Sequence, residues 1–147
     1  MTIEVGGTAP NVAGAPTGAH ALVFYKVTCP TCQMAAPAFE RMASAYDGSV
    51  LGVGQDPADR LLAFGREFGM SFPSEPDLAP YPTSEAYGIE HVPTVVVVDA
   101  SRTVVDVVAS WDRAGLNRAS AILANLLGTE PVTASDPGDG LPELRPG

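Results

Sequence analysis

Cys29 and Cys32 are the only two cysteines in this 147-residue chain, and they enclose Pro30-Thr31. Two thiols spaced by one helical turn can interconvert with a disulfide, which makes them a two-electron switch. A disulfide between them would close almost no loop and would remove little unfolded-state entropy, so stapling is not their purpose. A structural zinc site needs about four nitrogen or sulfur ligands. Beyond the two cysteines the chain offers His20 and His91 as such ligands, so the reading assigns no metal. Redox chemistry and a pair of buried structural thiols remain as the competing readings of the tetrapeptide alone.

The flanking sequence must position the pair. Ala21-Leu22-Val23-Phe24-Tyr25 is a continuous apolar run, the mark of a strand buried on both faces. Cys32 to Tyr46 follows with helical spacing, Met34, Ala38, Met42 and Ala45 sharing one side and Pro37 inside it. Val50–Val53 reads as a second strand. Pro57–Phe68 reads as a helix capped by Asp56, with Leu61, Leu62, Phe64 and Phe68 inward. Residues 69–82 read mostly as loop, and Thr83–Tyr87 as a short helix. Thr94–Val98 and Val104–Val108 form strands joined by a turn, and Asn117–Leu127 closes as an amphipathic helix stopped by Gly128. Its inward residues are Leu116, Ile122, Leu123, Leu126 and Leu127. This order predicts an α/β domain with a mixed central sheet and helices on both faces, spanning 20–128. An extended lead-in (1–19) precedes it, and an acidic, Pro/Gly-rich tail (129–147) follows, which the composition marks as disordered.

A strand, Cys-x-x-Cys and a helix in succession set Cys29 just before a first turn. There, free N–H groups and the helix dipole favour a thiolate. With the stretch Val27-Thr28-Cys29-Pro30-Thr31-Cys32 through Pro37, and with Ile89-Glu90-His91-Val92-Pro93 running into Thr94–Val98, the chain resembles the thioredoxin superfamily. The helix Pro57–Phe68 and the Phe72-Pro73…Asp77 stretch make it similar to the redoxin, TlpA-like branch. The resemblance implies a thioredoxin-like fold and a thiol–disulfide oxidoreductase in which Cys29 attacks and Cys32 resolves a mixed disulfide. Pro30, Thr31, Val92 and a cis Pro93 would line the substrate groove, with the redox-active Cys29–Cys32 disulfide itself in place of any cofactor. Lys26 and His91 lie close enough in sequence to modulate the thiols. Val23 stands where thioredoxins carry a buried carboxylate, and Ala35 where the TlpA-like branch often has glutamate. Thr28 and Tyr25 replace two family aromatics. Cys32 would then lose its proton to water or to a polar group such as Lys26 or Gln55.

Two other functions fit a thioredoxin-like domain. A thiol peroxidase of the peroxiredoxin kind expects threonine three residues before its cysteine, where this chain has Lys26. A redox-sensing or protein-binding module would need neither Val23 nor Ala35 to be acidic, and Trp111 would then be a contact candidate. The formal net charge of −9 argues against nucleic acid or an anionic membrane as partner. The expected partner is a protein or small-molecule disulfide, served by an upstream reductant the sequence does not name, and the chain is expected to be a monomer. The start carries neither a basic n-region nor an apolar h-region, and no apolar run reaches the ~20 residues of a membrane span. These features give a cytoplasmic location as the expectation, and with it the reducing direction.

Overall fold

The computed structural model describes residues 3–147; the first two residues of the lead-in lie outside the described residues. Five strands make one mixed sheet in the order β3-β2-β1-β4-β5. The central strand β1 (His20–Tyr25) pairs in parallel with β2 (Val50–Gly54), which pairs in parallel with β3 (Ser74–Pro76). On its other side β1 meets β4 (Thr94–Val98) antiparallel, and β4 meets β5 (Val104–Ala109) antiparallel. The short strand β3 falls in the stretch read as loop. Three residues containing Pro76 carry no alternation, so the pattern has nothing to show there.

Successive side chains of a strand point to opposite faces, and the two cores follow that rule. Ala21, Val23, Tyr25, Val95 and Val97 lie in the larger core, with α1 (Pro30–Ala45), α2 (Ala58–Phe68) and α4 (Arg113–Leu127). Leu22, Phe24, Val96 and Val98 face the smaller core, closed by Tyr87 at the end of α3 (Pro82–Ala86) and by Ala9 of the lead-in. The lead-in is tied down as an added edge. Gly6 and Ala9 donate backbone hydrogen bonds to Val104 and Arg102, at 2.8 Å each.

Helix details shift several expected contacts. The buried residues of α1 are Thr31, Cys32, Ala35, Ala36, Ala38, Phe39, Met42 and Ala43, so Ala38 and Met42 lie inward as expected while Met34 and Ala45 sit only at the margin. Pro37 lies on the exposed side, and the helix continues through it. In α2, Leu61 and Phe64 are buried but Leu62 is 58% exposed. Asp56 does not cap that helix; its carboxylate accepts the Val27 N–H at 2.9 Å instead. Helix α4 starts earlier than the apolar spacing shows, because Asp112 caps it through the Gly115 N–H at 3.0 Å. Leu126 and Leu127 face outward in its last turn.

Gly65, inside α2, carries a testable consequence. Helix propensity alone would make Gly65→Ala stabilising by up to about 1 kcal/mol. A Cβ there, however, would overlap the Met70 carbonyl oxygen, a backbone atom that cannot turn aside. Gly65→Ala is therefore expected to lose roughly 1–3 kcal/mol in urea denaturation. A gain in stability would show that the turn after α2 can yield.

Residues 129–147 do not form a disordered tail. Ala134 and Ser135 are fully buried, and the segment crosses α1 and α4 before pairing β7 (Leu144–Arg145) with β6 (Trp111–Asp112). The anchor is Arg113, 4% exposed, which donates to Ser135, Asp139, Glu143 and the Leu141 carbonyl. The segment folds because its backbone carbonyls and acids find buried donors on α4, not because it supplies an apolar face of its own. Among the described residues no helix is long and apolar enough to cross a membrane.

Candidate active site

The turn from β1 into α1 holds the first cysteine. Cys29 is the N-cap of α1 with extended backbone (φ −84°, ψ 113°), and its Sγ accepts the Cys32 N–H at 3.1 Å. Pro30 follows at the first helical position, where a missing N–H costs nothing. The loop beneath is fixed from both ends. Gln33 Nε2 donates to the Val27 carbonyl at 2.9 Å, and Cys29 N donates to the Lys26 carbonyl at 3.2 Å.

The facing wall comes from the loop before β4. The Val92–Pro93 peptide bond is cis, and the Cys29 thiol donates to the Val92 carbonyl at 3.5 Å. Thr94 Oγ1 holds this loop by donating to the His91 carbonyl at 2.6 Å. Both cysteines are free thiols. Cys29 is 9% exposed and Cys32 is fully buried. Burial pushes the Cys32 thiol far above its usual range; the hydrogen bond with the Cys29 side chain adds to this, and a backbone hydrogen bond at Lys26 opposes it. Val23 and Ala35, the positions where the resemblance points to acids, are completely buried apolar residues. A carboxylate at either position would need a partner that this packing does not provide.

The structure brings Cys29, Cys32, Thr31, Val92 and Pro93 together, with Pro30 exposed at the rim. Lys26 joins through its backbone, and His91 through its carbonyl, while the His91 residue is exposed. Gln55 is committed elsewhere, donating to Ser84 Oγ at 3.0 Å. Trp111 is buried and donates its indole N–H to the Pro142 carbonyl at 2.7 Å, so it packs inside the fold. Among the described residues no group of three or more His, Cys, Asp or Glu could hold a metal ion.

Sequence reasoning missed Ser110, Pro146 and Gly147, which also reach this site. Thr31 Oγ1 donates to the Pro146 carbonyl at 2.7 Å, and Gly147 N donates to Ser110 Oγ at 3.2 Å. No periodic signal links residues 115 positions apart through a backbone carbonyl.

The difference in burial predicts unequal reactivity. At pH 7, iodoacetamide is expected to label Cys29 and leave Cys32 unmodified until the chain is unfolded, as peptide mass mapping would show. Equal labelling of both thiols in the folded protein would contradict the burial of Cys32.

No family model matches the chain, and no curated protein does. Solved structures do. MTB DsbF, solved in mixed oxidized and reduced forms, is 25% identical, with 73% of this chain and 81% of that chain covered at a TM-score of 0.62. A secreted Mycobacterium tuberculosis disulfide oxidoreductase homologous to E. coli DsbE is 20% identical, covering 78% of this chain and 86% of its own, with a TM-score of 0.61. The thioredoxin domain of a Bacteroides vulgatus thiol-disulfide oxidoreductase is 16% identical, with 75% and 91% covered and a TM-score of 0.62. The chain therefore has the thioredoxin-like fold, and the second and third of these neighbours are themselves named disulfide oxidoreductases.

Proposed function

We propose that this chain is a thiol–disulfide oxidoreductase that reduces disulfides through the Cys29–Cys32 pair. The observation that carries the reading is the placement of Cys29 Sγ, between the Cys32 N–H in the first turn of α1 and the Val92 carbonyl. The Cys29 thiolate attacks one sulfur of the substrate disulfide. A Cys29–substrate disulfide forms, and the other substrate sulfur leaves as a thiolate that takes up a proton. Cys32, after losing its own proton, attacks Cys29 Sγ. The second substrate sulfur is released, leaving the protein oxidised by two electrons and the substrate reduced by two. An external dithiol reductant then restores the pair.

Cys32 is the resolving thiol because it is buried and follows the nucleophile by one turn. Pro30, Thr31, Val92 and Pro93 line the groove, and the dithiol serves without metal or organic cofactor. With Val23 and Ala35 apolar, water reaching the opened groove is the proton acceptor for Cys32. The substrate is a protein or small-molecule disulfide, and the protein works as a monomer in the cytoplasm, where the reducing direction follows from the compartment.

The midpoint potential tests that direction. Equilibration with glutathione buffers should show one two-electron couple at or below about −230 mV, on the thioredoxin and glutaredoxin side of the scale. A value near about −120 mV, as for a strong oxidant, would reverse the assignment from reductase to oxidase.

A further inference from the structure

The groove beside Cys29 is already occupied by the chain's own residues. From the Arg113 anchor, the segment after Pro142 runs out along β6 as β7, and Arg145 reaches the Met34 sulfur at 3.5 Å. Pro146 then accepts the hydrogen bond of Thr31, the residue between the two cysteines. Gly147 lies against the facing wall, its N–H on Ser110 Oγ and its Cα so close to Val92 that a Cβ would overlap the Val92 carbonyl oxygen. That same carbonyl accepts from the Cys29 thiol. Pro146-Gly147 thus spans from Thr31 at the lip of α1 to the Val92–Pro93 wall, the two walls that flank the nucleophile. Thr31 and Cys29 are buried although both face a groove a substrate must enter.

We infer that Leu144–Gly147 is a built-in competitor for the substrate groove, which a disulfide substrate must displace before Cys29 can react. This rests on the exchange chemistry proposed above and adds its regulation. The hold is graded along the segment. Upstream, Arg113 and Trp111 grip it through buried donors. At the tip, residues 144–147 are exposed on their outer side: Leu144 and Arg145 pair with β6 and Arg145 reaches Met34, whereas Pro146 and Gly147 are held at the groove by two hydrogen bonds, from Thr31 and to Ser110. Two such bonds, both at the water-exposed tip and so at the weak end of ordinary strength, hold Pro146 and Gly147 at the groove by roughly tenfold over the lifted form. The tip can therefore lift while the anchor stays, and tethering returns it at high effective concentration.

Two variants of the full protein test this. Gly147→Val drives a side chain onto the Val92 carbonyl, and a chain stopped after Glu143 removes the tip but keeps the Arg113 contacts. Gly138→Ala, with open space around its Cβ, is the control. Each is assayed for the alkylation rate of Cys29 by iodoacetamide and for the rate of reducing a disulfide-bonded peptide. Both tip variants are expected to raise both rates roughly tenfold, with the control unchanged. The synthetic peptide Leu141–Gly147, added to the shortened chain, should slow both again. If alkylation rises while no form reduces the peptide, the tip occupies the groove and the redox assignment fails. If all forms reduce the peptide at one rate and alkylate at one rate, the redox assignment stands and the built-in competitor is overturned.

Discussion

Replacing Cys32 with serine is expected to stall the reaction after its first step and to accumulate a covalent complex. With a disulfide-bonded peptide, intact-mass analysis should find the chain plus one half of the substrate, attached at Cys29. Replacing Cys29 instead should give no adduct and take disulfide reduction to the uncatalysed background. The asymmetry follows from the site. Cys29 Sγ lies at the head of α1 within reach of the groove, whereas Cys32 is sealed beneath it. Burial holds the Cys32 thiol protonated well beyond neutrality, so resolution depends on its small thiolate fraction. That fraction grows about tenfold per pH unit below the thiol's pKa. Single-turnover resolution in the wild type should therefore steepen from pH 7 to pH 9. A flat profile would mean that Cys32 is not the group whose deprotonation limits release.

Arg113→Met is expected to give the largest loss of stability. The guanidinium is buried, with four partners on the returning segment. Its removal takes the Nη2 donor from the Leu141 carbonyl and one donor from Asp139, which keeps the Ser135 hydroxyl, the Leu141 N–H and Arg41. Removing one member of a buried charge pair commonly costs about 3–5 kcal/mol. Because Glu143 is 70% exposed and recovers water, the low end, about 3 kcal/mol, is the expectation here. In a domain of this size that lowers Tm by roughly 6–12 °C. The same network gives a pH signature. The Ser135 hydroxyl, then the Leu141 N–H and Arg113, hold the Asp139 carboxyl below the usual carboxylate range. The folded chain thus binds fewer protons there than the unfolded one. The contribution is complete above the ordinary carboxylate range, near about pH 4, and is lost as pH falls below it. Arg113→Met should lose part of this acid dependence in thermal melts at pH 3 to 7. A loss below about 1 kcal/mol at pH 7 would assign the anchor elsewhere.

What the sequence discloses follows the physics of each signal. Buried strands announce themselves: Ala21–Tyr25 is an unbroken apolar run and Thr94–Val98 an unbroken β-branched one, and both appear within a residue of the expected ends. The dithiol and Val92-Pro93 are short motifs whose spacing is itself the signal, and the fold brings them together. The early start of α4 escapes because Arg113, Gly115 and Asn117 are polar or small, and the cap Asp112 sits inside a strand pairing. The returning segment escapes for a deeper reason. Its partners are backbone carbonyls of Leu141, Pro142 and Pro146, met by Arg113, Trp111 and Thr31. Carbonyls are common to every residue, so no composition or period encodes which of them will be used. The Pro/Gly content that favours disorder in isolation also permits the extended path across α1 and α4.

Whether the Cys29–Cys32 pair reduces disulfides catalytically is tested directly by one assay. Wild-type protein and the Cys29→Ser variant are each added to a disulfide-bonded model protein with a thiol reductant, and chain separation is followed with time. Wild type should shorten the time to separation in proportion to its concentration, and Cys29→Ser should match the reductant alone. Equal rates for the two proteins would mean that the exchange does not pass through Cys29.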